Sequence, residues 1–129
     1  MPKPGFVFVE LYMQDIHGYI SFFQSVAGFK LIRDEGDFAE LRSDTAVILL
    51  NADKELPGGH PFKDRVLGSG KGVGVEIGIV LADLPTAREA ALTFKGWSVT
   101  EIRRQSWGLS DFRVLTPDGY YLRFAEPFE

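Results

Sequence analysis

The feature that most constrains the fold of this chain is an internal repeat. Asp15 and Asp83, which lie 68 residues apart, each precede apolar residues at helical spacing, and each suits the N-cap position of a helix. Gly28 and Gly96, again 68 residues apart, follow these two patterns and predict the helix ends. The same helical unit is therefore predicted twice.

The segments around the two helices also repeat, with one local insertion. Phe38 corresponds to Phe112 and Asp44 to Asp118, both at an offset of 74, so six extra residues fall within 103–111 of the second copy. Segments rich in aromatic and β-branched residues predict strands over 6–13, 29–34, 38–41, 46–50, 73–81, 97–102, 112–115 and 120–124.

The repeat predicts an α+β fold made of two βαβββ modules. Module 1 covers about 6–51, a linker rich in glycine and proline covers about 52–71, and module 2 covers about 72–127, all within one domain of residues 1–129. A single βαβββ unit cannot bury both faces of its sheet. We therefore expect the modules to form a curved mixed sheet with a cleft, which suits a ligand.

Composition restricts the partners and the chemistry of the chain. Its net charge of −4 argues against nucleic acid and anionic membranes as partners, and no segment has the apolar length of a membrane span. The absence of cysteine excludes disulfides, thiolate metal sites and a cysteine nucleophile, and it fits a cytoplasmic location. Neither the serines nor the carboxylates form a recognisable catalytic motif, so we predict no catalytic residue.

Several segments resemble the vicinal oxygen chelate superfamily, which includes glyoxalase I, extradiol dioxygenases and bleomycin-resistance proteins. The resemblance rests on the repeated strand–Asp–helix–Gly-aromatic pattern and extends from about Phe8 to Pro127. It is most similar to the bleomycin-resistance branch in the segments Gln105-Ser106-Trp107-Gly108, Asp111-Phe112 and Pro117-Asp118-Gly119-Tyr120.

The resemblance implies four positions at which enzymes of this superfamily hold a divalent metal with His, Glu or Gln. In this chain they are Phe8, Leu49, Glu76 and Arg123. Phe and Leu offer no ligand atom, and a guanidinium repels a cation. His17 and His60 do not lie at these positions. We predict no metal and no cofactor.

Glu76 and Arg123 remain candidate ligand-binding residues. The resemblance places them on neighbouring strands, where they form either a structural ion pair or the polar end of a pocket. Glu10 and Tyr12 share strand parity with Phe8, and Tyr121 shares it with Arg123. Glu10 either binds a cationic group or pairs with a basic neighbour.

Trp107 is the candidate for direct ligand contact, because it lies in the insertion between Ser106 and Gly108. Its ring either stacks on a planar or cationic ligand or folds back on the local core. In the bleomycin-resistance proteins, similar aromatic residues stack on the antibiotic in grooves at a dimer interface, which implies a homodimer here.

These observations predict a protein that captures a small planar, neutral-to-cationic molecule without catalysis, as in antibiotic sequestration. The predicted ligand-binding residues are Phe8, Glu10, Tyr12, Glu76, Trp107, Tyr121 and Arg123. The alternative is an enzyme of the glyoxalase or dioxygenase type. A third possibility is a cleft used for protein contact or metal-independent chemistry.

Overall fold

A computed structural model of the chain describes residues 2–63 and 70–128. The chain divides into two compact units. Unit 1 comprises residues 1–24 and 28–66, and unit 2 comprises residues 25–27 and 67–129. Residues 64–69 of the predicted linker lie outside the described residues.

Helix α1 (Ile16–Ala27) begins and ends where the sequence predicts. The Asp15 carboxylate accepts a hydrogen bond from the Gly18 backbone N–H at 3.3 Å, which is a side-chain N-cap. Gly28 adopts a left-handed conformation with φ of +71°, and its N–H bonds back to the last turn. A residue without a Cβ adopts this conformation without strain, so the helix stops here.

Unit 1 contains one four-stranded sheet. Its strands are β1 (Val9–Met13), β2 (Lys30–Asp34), β3 (Phe38–Arg42) and β4 (Val47–Ala52), and a 3-10 turn (Asp53–Glu55) follows. The strand order is β1-β4-β3-β2, with β1 and β4 parallel and the other pairs antiparallel. One face is buried through alternate residues such as Leu11, Met13, Ile48 and Leu50. The opposite face carries the residues between them and is called the open face of unit 1.

Unit 2 repeats this arrangement around a shorter helix, α2 (Leu84–Ala91). Its strands are β5 (Glu76–Val80), β6 (Ser98–Val99), β7 (Arg103–Arg104), β8 (Ser110–Leu115) and β9 (Tyr121–Ala125). The strand order is β5-β9-β8-β6, with β5 and β9 parallel, and β7 also pairs with β8. Helix α2 contacts β8. Phe112, Val114, Leu122 and Phe124 are buried on one face of the sheet.

Module 2 departs from the prediction after its helix. Helix α2 ends at Ala91 rather than near Gly96, because Thr93 donates its side-chain hydroxyl to the Ala90 carbonyl and the chain continues in tight i→i+3 turns. The strand predicted over 97–102 is interrupted. The Thr100 hydroxyl accepts the Arg113 N–H at 2.8 Å, and the pairing with β8 shifts by one residue before β7 begins.

The first strands of both modules are also shorter than predicted. β1 begins at Val9 instead of residue 6, because Gly5 has a φ of +92° and the Phe6 N–H bonds to the Lys3 carbonyl in a turn. β5 begins at Glu76 instead of residue 73, after a turn that contains Gly72 and Gly74.

The predicted α+β class is confirmed. Among the residues that the structure describes, each unit contains one α-helix and one mixed sheet, and a parallel pair joins the first and last strands of each repeat. Within residues 2–63 and 70–128, neither helix has the length and apolar character needed to cross a membrane.

Candidate functional site

The predicted ligand-binding residues are divided between the two units. Phe8, Glu10 and Tyr12 belong to unit 1, whereas Glu76, Trp107, Tyr121 and Arg123 belong to unit 2. The two groups are therefore described separately.

The polar residues of unit 2 share the face opposite its buried core, called the open face of unit 2. Glu76 on β5 is paired with Tyr121 on β9, and Arg123 on β9 is paired with Arg113 on β8. Paired residues in a sheet point to the same side, and residues two apart on a strand do so as well. Asp111 on β8 is therefore on this face too.

Asp111 is the centre of the polar cluster, and its side chain is only 2% exposed. One carboxylate oxygen accepts from the Gln105 side-chain amide at 2.8 Å, and the other accepts from Nε of Arg123 at 3.1 Å. The Arg113 guanidinium lies 3.6 Å from the second oxygen. These donors offset the free-energy cost of burying the carboxylate. Asp111 also restricts the side-chain positions of both arginines and of Gln105.

Glu76 pairs with Arg113, at 3.4 Å, and not with Arg123 as the sequence suggested. The register explains the difference, because Arg123 lies opposite Gly78, whereas Arg113 reaches Glu76 across β9. The pKa of Arg113 is raised, mainly by a hydrogen bond to Tyr121. Burial lowers this pKa, whereas the charges of Glu76 and Asp111 raise it further.

Trp107 lies in the tight connection between β7 and β8. The Gln105 N–H bonds to the Leu109 carbonyl at 2.9 Å, and Gly108 has a φ of +95°. The indole is 54% exposed, and Cζ of Arg123 lies 5.1 Å from its ring centroid. This is a cation–π contact, so Asp111, Arg123 and Trp107 form one connected series.

A polar cavity of about 270 Å³ adjoins this series. Its lining includes Arg103, Gln105, Asp111, Arg113 and Tyr121. Asp111, Arg113 and Gln105 were missed as site residues, although Asp111-Phe112-Arg113 alternates polar and apolar residues as a half-buried strand does.

Tyr12 in unit 1 is part of an aromatic cluster that the sequence did not predict. Its ring centroid lies 5.7 Å from those of both His60 and Phe62, and the last two are 4.9 Å apart. Burial, and secondarily the charge of Glu10, raises the pKa of the Tyr12 hydroxyl. Glu10 accepts from the Asn51 side-chain amide at 2.7 Å, so an amide stands where a basic neighbour was one of the two predicted partners.

Comparison with known proteins establishes the fold. No protein-family model matches the sequence, and no curated protein is detectably similar. A glyoxalase/bleomycin resistance protein/dioxygenase family enzyme from Burkholderia phytofirmans superposes with a TM-score of 0.71 at 17% identity, covering 94% of this chain and 97% of the other. The chain has the glyoxalase/bleomycin-resistance fold.

Two further structures of this fold are similar over nearly their whole length. A glyoxalase/bleomycin resistance protein from Albidiferax ferrireducens has a TM-score of 0.69 at 13% identity, with coverages of 93% and 96%. A lactoylglutathione lyase from Agrobacterium tumefaciens has a TM-score of 0.64 at 15% identity, with coverages of 97% and 96%. The fold expected from the resemblance to the vicinal oxygen chelate superfamily is thereby confirmed.

At the four positions for which the resemblance implied metal ligands, the side chains do not fit a divalent metal. Phe8 and Leu49 have no ligand atoms, and Arg123 is a cation already bonded to Asp111. Only Glu76 could coordinate through its side chain. Among residues 2–63 and 70–128, no three His, Cys, Asp or Glu side chains are grouped so that they could hold a metal.

Proposed function

We propose that this chain binds a small planar organic molecule on the open face of unit 2 and holds it without transforming it. The observation that carries this proposal is the exposure of Trp107. Trp107 is half exposed although Arg123 lies against its ring. A large, flat apolar surface therefore remains accessible, and a second planar group can stack on it.

The proposed ligand is neutral or cationic, as a planar antibiotic is, and the open face of unit 2 offers it one accessible carboxylate beside two guanidinium groups. Glu76 is the partly exposed carboxylate of the cluster, whereas Asp111 is buried and already accepts from Gln105 and Arg123. The overall charge of −4 also attracts cations. We propose that the ring stacks on Trp107 and that a cationic group pairs with Glu76.

The bonding of the carboxylates supports capture over catalysis. A general base needs a carboxylate that can take a proton from a substrate. Asp111 is buried beneath Arg113 and Arg123, and Glu76 forms an ion pair with Arg113. Both carboxylates are therefore engaged with guanidinium groups, which argues against a role as general base.

Thermal-shift and fluorescence titrations with bleomycin and with an acridine dye test this proposal. A bound ligand should raise the unfolding midpoint and quench Trp107 fluorescence, and Trp107→Ala should abolish both effects. Ile32→Ala is the matched control, because Ile32 is also 54% exposed but lies in unit 1. Equal binding by wild type and Trp107→Ala, or no binding of any planar cation, would refute the proposal.

An enzyme of the glyoxalase or dioxygenase type is the alternative, and two observations favour it. The chain shares its fold with the lactoylglutathione lyase from Agrobacterium tumefaciens, and Glu76 supplies a carboxylate at one metal-ligand position. Elemental analysis of the purified protein decides between the two. Stoichiometric Zn, Ni, Mn or Fe that is lost in Glu76→Ala would support the enzyme.

We also propose that the working form is a homodimer. Several large apolar side chains are exposed on the single chain, including Val7, Val73 and Phe128 at 76%, 87% and 64%. Covering exposed apolar side chains with a second copy of the chain would remove their surface from water, which favours association. Light scattering coupled to size exclusion should give twice the 14.4 kDa mass of the chain.

A further inference from the structure

The amino-terminal segment forms one wall of a groove in unit 1. Residues 2–6 and Phe8 lie beside β2, β3 and β4, and together they line an open space of about 440 Å³. The segment is shaped by the Lys3–Phe6 turn and by the positive φ of Gly5. This volume is within the usual range for small-molecule sites.

The floor of this amino-terminal groove is apolar. It is formed by Phe8, Phe38, Val47 and Leu49. Phe8 and Leu49 are two of the positions at which the glyoxalase/bleomycin-resistance fold can hold a metal, and here they leave only hydrocarbon and aromatic surface. Such a floor gains free energy when it is covered by an apolar group.

The rim of the groove is cationic. The Arg33 guanidinium lies 5.0 Å from the Phe38 ring centroid and 3.4 Å from the carboxylate of Glu35, which is exposed and is not among the residues that line the groove. The side chains of Arg33 and Arg42 are 55% and 44% exposed. The Glu40 carboxylate is bonded to Arg42 and is only 14% exposed. The lining of the groove therefore combines two half-exposed guanidinium groups with one largely covered carboxylate, so it presents hydrogen-bond donors and positive charge.

We propose that the amino-terminal groove binds an amphipathic organic monoanion, whose apolar body lies on Phe8, Phe38 and Leu49 and whose carboxylate pairs with Arg33 and Arg42. A cationic head would meet two exposed guanidinium groups and one covered carboxylate, so it is disfavoured. Every residue that lines this groove lies in unit 1, whereas Trp107 lies in unit 2.

Calorimetric titration of the full chain with decanoate tests this site. Decanamide, which has the same body without the charge, is the ligand control. We expect decanoate to bind and Arg33→Gln to weaken it roughly tenfold through loss of a charged hydrogen bond. Lys95→Gln removes an equal charge from an exposed residue of unit 2 and should leave the affinity unchanged.

A second variant separates binding from folding. Phe8 is 56% exposed, so Phe8→Ser should leave the unfolding midpoint nearly unchanged while it weakens decanoate. Trp107→Ala should bind decanoate normally, so this proposal and the planar-ligand proposal can fail separately. Equal affinity for decanamide, or decanoate binding that both variants leave intact, overturns the inference. Failure to bind, with Phe8→Ser dissociating a dimer, would instead make the groove a contact between copies.

Discussion

The buried carboxylate of Asp111 on β8 is held by Arg123 of the neighbouring strand, with 3.1 Å between Oδ2 and Nε. Arg123 in turn lies against the indole of Trp107. A buried carboxylate therefore holds the arginine that lies against the aromatic surface proposed to bind the ligand.

We predict that Asp111→Ala lowers the free energy of unfolding by roughly 2–3 kcal/mol. The substitution leaves Gln105, Arg113 and Arg123 without their shared acceptor, although partial exposure of the arginines limits the loss. Urea unfolding at neutral pH measures the effect. Glu89→Ala, at an exposed position of α2, should change stability by less than about 0.5 kcal/mol. A loss below about 1 kcal/mol for Asp111→Ala would contradict this role.

The sequence could predict much of this site because strand alternation is a local property. Strand parity predicts that Tyr121 shares a face with Arg123, the resemblance adds Glu76 on a neighbouring strand, and the parallel β5–β9 pair puts all three on one face. The ion-pair partner of Glu76, in contrast, is not determined by local sequence. It depends on the register between β5 and β9, which sets Arg123 opposite Gly78, and on the reach of Arg113 from the next strand.

The limits of the elements were less predictable for a similar reason. Asp15 and Gly28 fix α1 through contacts within the helix itself. The interruption of the strand after Val99 depends instead on the Thr100 hydroxyl, which accepts an N–H from β8, 13 residues away. Strand propensity depends on residues that are neighbours in the sequence. It therefore cannot predict that a side-chain hydroxyl takes the place of a backbone acceptor in the sheet.

Lys71 and Asp118 form the most buried ion pair among the described residues, with both side chains 5% exposed and Nζ 3.1 Å from Oδ2. We predict that Lys71→Met costs about 3 kcal/mol, because it leaves the buried Asp118 charge without its ammonium partner. Adding Asp118→Leu should recover part of that loss. A double-mutant cycle by urea unfolding measures the coupling, which we expect to exceed about 1 kcal/mol. Additive losses would show that the pair does not act as a unit.

Gly72 lies against the last hairpin. It has a φ of +76°, and a Cβ there would come within 2.8 Å of the Tyr120 ring and 3.1 Å of its Cα. We predict that Gly72→Ala destabilises the chain by roughly 2–4 kcal/mol through strain and overlap. Gly74 has a φ of +89° but no atom within 4 Å of a Cβ, so Gly74→Ala should cost only about 1–2 kcal/mol. Equal thermal destabilisation of the two variants would contradict the packing of Tyr120 on Gly72.

Asp83 caps α2 and should make its stability depend on pH. The Thr86 hydroxyl, at 2.7 Å, and then the Thr86 N–H lower the pKa of the Asp83 carboxyl. Because the pKa is lower in the folded state, the stabilisation is present above the ordinary pKa of about 3.9 and is lost as pH falls through the folded-state pKa. We predict that acid weakens α2 through this cap.

Carbon-detected NMR titration of the Asp83 carboxyl tests the order of these two causes. Thr86→Ala removes the hydroxyl and keeps the backbone N–H, so the pKa should rise toward its ordinary value without reaching it. Thr93→Ala, which removes the hydroxyl bonded to Ala90 beyond the helix end, should leave the Asp83 titration unchanged. If Thr86→Ala titrates like the wild type, the backbone N–H and not the hydroxyl holds the carboxylate.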